Sequence, residues 1–348
     1  MSALGWSPGR TEEFELYADG LVPARVAAQH RGGYVVYAAS GEHRAEVAGR
    51  LRHAALTTSD FPAVGDWVAL DATTGADAAL IHAVLPRATS FSRKAAGEEE
   101  TEQVVAANVD VVLLVSAFGD DLNVRRIERY LTAGWESGAQ PVIVLNKSDL
   151  SADLAGDVAA VEAIAFGVPV HVVSCLEGSG VSELAVYVEG GRTVALLGSS
   201  GVGKSTLLNR LLGWERQEVR DIRADGRGRH TTTHRELVPL PGGGLVLDTP
   251  GMRELGLWEA GTGMGETFAD VAEIAAACRF ADCAHASEPG CAVRAALADG
   301  SLAPERLESY RKLQRELRRL ELKTDPRARS EARKARRRFA RSLRNSAY

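Results

Sequence analysis

The stretch VLNKSDL, Val144 to Leu150, ends an apolar run on Asn146-Lys147-Ser148-Asp149, the Asn-Lys-x-Asp pattern that reads guanine. At the end of a strand, the Asp149 carboxylate can accept from both N1–H and the exocyclic amine of guanine; adenine offers neither there. A site built around such a donor pair rejects the base that lacks it, so GTP is expected over ATP. The phosphate-reading motif, GSSGVGKST at Gly198 to Thr206, comes later in the chain. It satisfies G-x-x-x-x-G-K-[ST] between a strand-like RTVALLG and a helix-like STLLNRLLG. The backbone N–H groups of Gly198, Ser199, Ser200, Gly201, Val202 and Gly203 are expected to curl around phosphate oxygens, aided by a helix N-terminus. Lys204 would neutralise the β- and γ-phosphates, and Ser205, followed by Thr206, would ligate Mg²⁺.

Working outward, LVLDTPG places Asp248 at a strand end, where it can hold Mg²⁺ through water, and Gly251, whose N–H can sense the γ-phosphate. SCLEGSG, with Ser174 and Cys175, reads as the loop completing the base pocket, Cys175 serving there for its small size. The base motifs therefore precede the phosphate motifs. Chain termini that lie close together can be joined and the chain cut elsewhere without loss of fold. The rotated order predicts a circularly permuted GTPase domain, with the joint at YVEGG before RTVALLG. Apolar strands alternate with amphipathic helices throughout this region; Val124, Ile127 and Leu131, for instance, share one helical face. That alternation predicts a mostly parallel sheet with helices on both faces.

The hydrolytic machinery departs from the Ras-like arrangement at Met252, which cannot orient water as a glutamine does. The segment DGRGRHTTTHREL offers substitutes. One of Thr231, Thr232 and Thr233, with Thr232 taken as the candidate, would close on Mg²⁺. His230 would position or activate the water, or else be an ordinary loop histidine or a phosphate contact.

Upstream, residues 21–95 hold short β-rich pieces punctuated by turns, which predict a small OB-like or SH3-like barrel. Tyr34, Tyr37, Phe61 and Trp67 could stack on bases, but most are expected to fill the barrel core. KAAGEEETEQ reads as an acidic linker. Downstream, CRFADCAHASEPGC spaces Cys278, Cys283, His285 and Cys291 as C-x4-C-x-H-x5-C. Three thiolates and an imidazole suit one closed, structural Zn²⁺, with iron–sulfur ligation the weaker alternative. Leu307, Tyr310, Leu313, Leu317 and Leu320 form an apolar stripe on a helix opened by Ser301 or Pro304. The expected division is 1–20 as an N-terminal extension, 21–95 as an OB-like barrel, 96–265 as the permuted GTPase domain, and 266–348 as a mainly α zinc-binding domain with a basic tail.

The chain has 348 residues and a formal net charge of −5, yet Arg327 to Arg344 carries nine basic residues against one acid. Such a tail is commonly a solvated helix end or a disordered solubilising segment, and alone it does not imply nucleic acid. No run approaches a membrane span, and the acidic N-terminus lacks the apolar core of a secretory signal, so a cytoplasmic protein is expected. The four cysteines do not suit a disulfide framework in that compartment.

Taken together, VGDWV, ANVD, NKSD, GSSGVGKST, RGRHTTT, DTPG and CRFADCAHASEPGC resemble the RsgA (YjeQ) family of bacterial ribosome small-subunit-dependent GTPases over nearly the whole length. The resemblance implies a late assembly factor that hydrolyses GTP to GDP and phosphate when stimulated by the small ribosomal subunit. It also implies an OB domain, a permuted GTPase and a zinc domain gripping rRNA, in a monomer that binds GTP or GDP with Mg²⁺. A hydrophobic residue at Met252 and a histidine at His230 belong to the same pattern. Two other classes remain. A GTP-regulated RNA-binding module with incidental hydrolysis would show no ribosomal acceleration. A zinc-finger DNA-binding regulator would need a recognition helix, and none is visible.

Overall fold

Five strands of the N-terminal region close on themselves. They are β1 (Val22–His30), β2 (Gly33–Ala38), β3 (Gly41–Val47), β4 (Trp67–Asp71) and β5 (Ala79–Val84). β1 pairs antiparallel with β2 and β4, β2 with β3, β3 parallel with β5, and β5 antiparallel with β4. The barrel therefore has no free edge, and its five-stranded order is OB-like. In this computed structural model the described residues are 1–30, 32–72, 78–94, 102–213, 236–241, 243–248, 262–324, 327–331 and 334.

Period-two alternation decides the barrel interior. Along β2, Val36 and Ala38 are buried and Tyr34 packs against them, whereas Tyr37 lies on the opposite face. Of the four aromatics, most of them expected in the barrel core, only Trp67 is buried; Tyr34, Tyr37 and Phe61 are half-buried. Trp67 looks away from the barrel centre, into a cluster with Phe14, Leu85 and Trp6. Trp6 meets Phe14 and Trp67 edge-on. The N-terminal extension is thus packed structure: α1 (Pro8–Glu15) lies through Phe14 against the outer face of β4, whereas α2 (Gly49–Ala54) lays Leu51 on the barrel core. Gly191 sits so close to Ser2 that a Cβ there would be 2.6 Å from the Ser2 carbonyl oxygen.

β6 (Ser90–Lys94) and β7 (Glu102–Ala107) form a separate antiparallel pair, so the acidic stretch read as a linker runs into a strand at Glu102. The next strands are β8 (Val111–Ala117), β9 (Gln140–Asn146), β10 (Val170–Val172), β11 (Thr193–Leu197), β12 (Glu236–Pro239) and β13 (Leu245–Asp248). Their order in the sheet is β10-β9-β8-β11-β13-β12, parallel except for β12. β8 and β9 read VVLLVSA and PVIVL because both their faces are covered. One face packs against α3 (Val124–Glu136) and α4 (Leu154–Glu162), with Ile127, Leu131 and Val161 in that core. The other packs against α5 (Lys204–Leu211) and the 3-10 helix Val181–Tyr187, with Leu184, Leu207 and Leu208. Among the described residues, one register pair, Ala28 to Glu236, joins barrel and sheet.

That junction is polar as well as apolar. Arg25, 2% exposed, donates to the carbonyls of Leu4, Gly65 and Asn108 and lies 5.1 Å from the Trp67 ring centroid. Arg10 donates to the Asn108 Oδ1. Burial pulls the Arg25 guanidinium down to about 10, which still leaves it charged at neutral pH.

The chain forms two compact units, Met1–Gly256 and Leu257–Tyr348. In the second, α6 (Gly263–Thr267), α7 (Ala269–Ala276), α8 (Ala292–Asp299) and α9 (Pro304–Thr324) enclose Phe268, Val271, Val293 and Leu302. The stripe read from sequence faces inward, with Leu307, Leu313 and Leu317 buried, and Pro304 is the residue that opens the helix. Arg306 is buried too, paired with Asp270 at 2.8 Å and 4.3 Å from the Phe268 ring centroid. Among the described residues, no helix is long and apolar enough to cross a membrane.

Candidate functional site

The carboxyl ends of parallel strands are where an open α/β sheet presents its ligand-binding loops. Here β9, β11 and β13 deliver Asn146, Gly198 and Asp248 to the same edge. Steric demands at the phosphate loop explain its glycines. A Cβ at Gly198 would lie 2.2 Å from the Val115 carbonyl oxygen, and one at Gly203, where φ is +100°, 2.2 Å from the Asn146 Nδ2. The loop enters α5 at Lys204, whose ammonium reaches back to the carbonyls of Gly198 and Ser199 at 2.8 and 2.6 Å. That places a positive charge at the mouth of the loop, beside a helix N-terminus. Ser200, Ser205 and Thr206 are exposed there. The Ser199 hydroxyl donates to Asp121 and accepts from Arg126 at 2.9 Å, tying the loop to the start of α3.

Asn146, 2% exposed, binds two loops at once. Its Nδ2 donates to the Val202 carbonyl at 2.7 Å, and its Oδ1 accepts from the Cys175 N–H at 2.9 Å. Lys147 follows in the left-handed region, φ +64°, which turns the chain sharply out of β9. Asp149 is exposed, and its Oδ1 accepts from the Ser174 hydroxyl at 2.6 Å. The Ser174 oxygen in turn accepts from the Glu177 N–H, and Ser174 and Ser179 bridge across the loop. Burial pushes the Cys175 thiol up to about 11, so it is protonated at neutral pH and unsuited to nucleophilic work. The arrangement brings Asn146, Lys147, Ser148, Asp149, Ser174 and Cys175 together with the phosphate loop. An exposed carboxylate held by a hydroxyl stands on one side, and a cradle of N–H groups with an ammonium on the other. Such a surface can take a purine at one end and a polyphosphate at the other.

Asp248 closes β13, in register with Glu236 of β12. Its side chain, and His230, Thr231, Thr232, Thr233, Gly251 and Met252, lie outside the described residues. Sequence reading missed Arg210, in the last turn of α5, which donates to the carbonyls of Cys175 and Leu176 at 3.1 and 2.7 Å. It missed Asp121 and Arg126 as well. None of these belongs to a motif; only their place on helices next to the two loops marks them.

In the second unit, the ligand atoms of Cys278, Cys283, His285 and Cys291 all lie within 4.8 Å of one another. Sulfurs about 2.3 Å and a nitrogen about 2.0 Å from one tetrahedral ion would stand about 3.8 Å apart for sulfur pairs and about 3.5 Å for sulfur and nitrogen. The Cys278 and Cys291 sulfurs are 3.9 Å apart, and each is 3.5 Å from the His285 Nδ1. The donor set and its spacing fit a tetrahedral metal ion. The loop is shaped from outside: His285 takes φ +59°, its carbonyl accepts from Arg311, and the Glu288 carboxylate accepts from the N–H groups of Ala284, Ala286 and Ser287. A bond from its own N–H, followed by those from Ala284 and Ala286, holds the Glu288 carboxyl down to about 2.

Known proteins share this organisation. The family profile described as RsgA GTPase matches residues 84–258. A protein of Opitutus terrae named small ribosomal subunit biogenesis GTPase RsgA is 53% identical, over 91% of this chain and 89% of its own length. A Streptomyces coelicolor protein of the same name is 48% identical over 96% and 91%. Among solved structures, YjeQ from Thermotoga maritima superposes with a TM-score of 0.64 at 30% identity, over 85% of this chain and 98% of that one. YloQ, titled a circularly permuted GTPase, superposes with a TM-score of 0.61 at 26% identity, over 86% and 96%. With the base-side strands β8 to β10 preceding the phosphate-side strands β11 to β13, and with relatives aligned along nearly the whole chain, this protein belongs to the RsgA GTPase family.

Proposed function

We propose that the chain binds GTP across the β9 and β11 loops, hydrolyses it to GDP and phosphate, and acts in maturation of the small ribosomal subunit, the role for which its relatives are named. The observation that carries the nucleotide part is Asn146, whose amide joins the phosphate loop to the base loop. Asp149, oriented by Ser174, accepts from guanine; the Cys175 loop closes over the base edge. N–H groups from Gly198 to Gly203 and the ammonium of Lys204 hold the phosphates, and Ser205 and Asp248 would hold Mg²⁺. When bound, Mg²⁺ would supply positive charge against the negative charge that develops on the phosphates. His230 orders the attacking water, Thr232 closes on the metal side, and Gly251 follows the γ-phosphate.

The metal of the cysteine cluster is zinc, one per chain, in a structural role, since all four positions are protein ligands. The working division is 1–20, 21–95, 96–265 and 266–348, in a cytoplasmic monomer whose barrel, zinc region and basic tail meet rRNA. The test is GTP turnover by the full chain with and without purified small subunits. Acceleration by subunits is expected, with His230→Ala slowing turnover about a hundredfold while nucleotide binding persists. Equal turnover in both conditions would make hydrolysis incidental to RNA binding and remove the ribosomal half of the proposal.

A further inference from the structure

The base loop is fastened on its N–H side by Asn146 and on its hydroxyl side by Asp149. Its carbonyl side is fastened from elsewhere. Arg210 reaches from the last turn of α5 with Nε to the Cys175 carbonyl at 3.1 Å and Nη2 to the Leu176 carbonyl at 2.7 Å. Gly178, at φ +88°, lies against the same guanidinium, with a Cβ position 3.6 Å from Nη1. Two successive carbonyls taken by one rigid fork fix two peptide planes, which a flexible ammonium cannot do. They are the planes on either side of Leu176, whose side chain is 70% exposed beside Asp149's loop. α5 therefore carries the phosphate loop on its N-terminus and the brace of the base loop on its C-terminus.

We propose that Arg210 is a positioning residue for base selection, holding the Cys175–Leu176 backbone in the orientation that lets this loop and Asp149 meet one purine edge together. The inference rests on the guanine reading of Asp149. Arg210 is itself exposed and contributes nothing to the apolar core, so its loss leaves the fold intact. A cation in the last turn also complements the helix dipole, which is the plainer role for this residue. Lysine would keep that role and lose the fork.

The experiment is equilibrium binding of GDP and of ADP to the full chain, to Arg210→Gln and to Arg210→Lys. With the fork gone, GDP affinity should fall about tenfold in Arg210→Gln with ADP unchanged, as expected when two charge-assisted hydrogen bonds on an exposed loop are lost. Arg210→Lys should recover only part of the lost discrimination. An unchanged GDP-to-ADP ratio in Arg210→Gln, whether both affinities fall together or neither moves, overturns the inference, as does full discrimination in Arg210→Lys. A wild-type chain that does not prefer GDP to ADP would instead remove the guanine reading itself, an outcome visible before either variant is made.

Discussion

The nucleotide site and the cysteine cluster are both made of loops, yet they are held in opposite ways. The nucleotide site gathers Asn146, Ser174 and Gly203 from separate parts of the chain and locks them to one another through Asn146, Asp149 and Arg210, all standing on a buried parallel sheet. The cysteine cluster draws its four ligands from one window, Cys278 to Cys291, and its loop sits among short helices. Cys278 and Cys283 are only partly buried, and the neighbouring Phe280 is exposed. A site preorganised by a sheet keeps its shape whether or not its ligand is present. A site whose four donors crowd within 4.8 Å with no sheet beneath them is expected to need an ion to hold its shape.

The largest expected effect breaks the comparison on the metal side. Structural zinc contributes about 10–16 kcal/mol of apparent binding energy to small domains, and that energy is folding energy. Chelation, or Cys283→Ala, should strip about one zinc per chain, the stoichiometry a four-ligand site implies. The thermal transition of Leu257–Tyr348 should then fall by more than about 10 °C, since about 1 kcal/mol moves a domain of this size by about 4–8 °C. GDP binding by Met1–Gly256 should survive. Calorimetry with elemental analysis checks this, and a metal-free protein with both transitions in place would show the cluster to be dispensable.

The next effect tests the nucleotide side. Asn146→Ala removes a buried amide and leaves the Val202 carbonyl and the Cys175 N–H without it, at about 1–3 kcal/mol for each group stranded. Both loops should loosen together. GDP affinity is expected to drop about a hundredfold, while zinc content and the transition of the second unit stay as in the wild type. Titration calorimetry with GDP decides it; a drop below threefold would mean that the sheet alone holds the loops.

The two sites also differ in how they could be read. Both motifs were legible because each constrains backbone or donor chemistry locally: glycines where a Cβ would strike Val115 or Asn146, and cysteines spaced for one ion. The parallel sheet was legible from doubly buried strands such as VVLLVSA, and the α9 stripe from its period. The braces were not. An arginine looks the same in sequence whether it dissolves in water, as its composition suggests, or lies buried like Arg25 and Arg306 on carbonyls supplied by distant segments. The N-terminal extension hid for a related reason. Trp6 and Phe14 sit in a polar, acidic stretch, and only the position of Trp67 turns them into a cluster. Charge likewise disguised β7, whose first residues read as linker.

The smallest effect sharpens the metal side from outside the ligand set. Glu288 gathers three N–H groups of the metal loop besides its own, and these bonds, its own first, hold its carboxyl down to about 2, against an ordinary value of 4.5. A depressed folded-state value means that the carboxylate stabilises the loop fully above pH 4.5, progressively less as pH falls from there toward 2, and not at all below. Glu288→Gln keeps the shape and part of the hydrogen bonding but cannot titrate. The difference in denaturation midpoint between wild type and this variant should therefore be flat from about pH 7 to 5 and shrink below that. Protonation of the metal ligands at low pH weakens both proteins alike and cancels in the difference. Because Glu288 is only half-buried, the difference should be modest even at neutral pH, far below the loss on chelation. A wild-type advantage that grew as pH fell would mean that Glu288 is not ionised on the loop, and that Arg311 and the ion alone hold His285 in place.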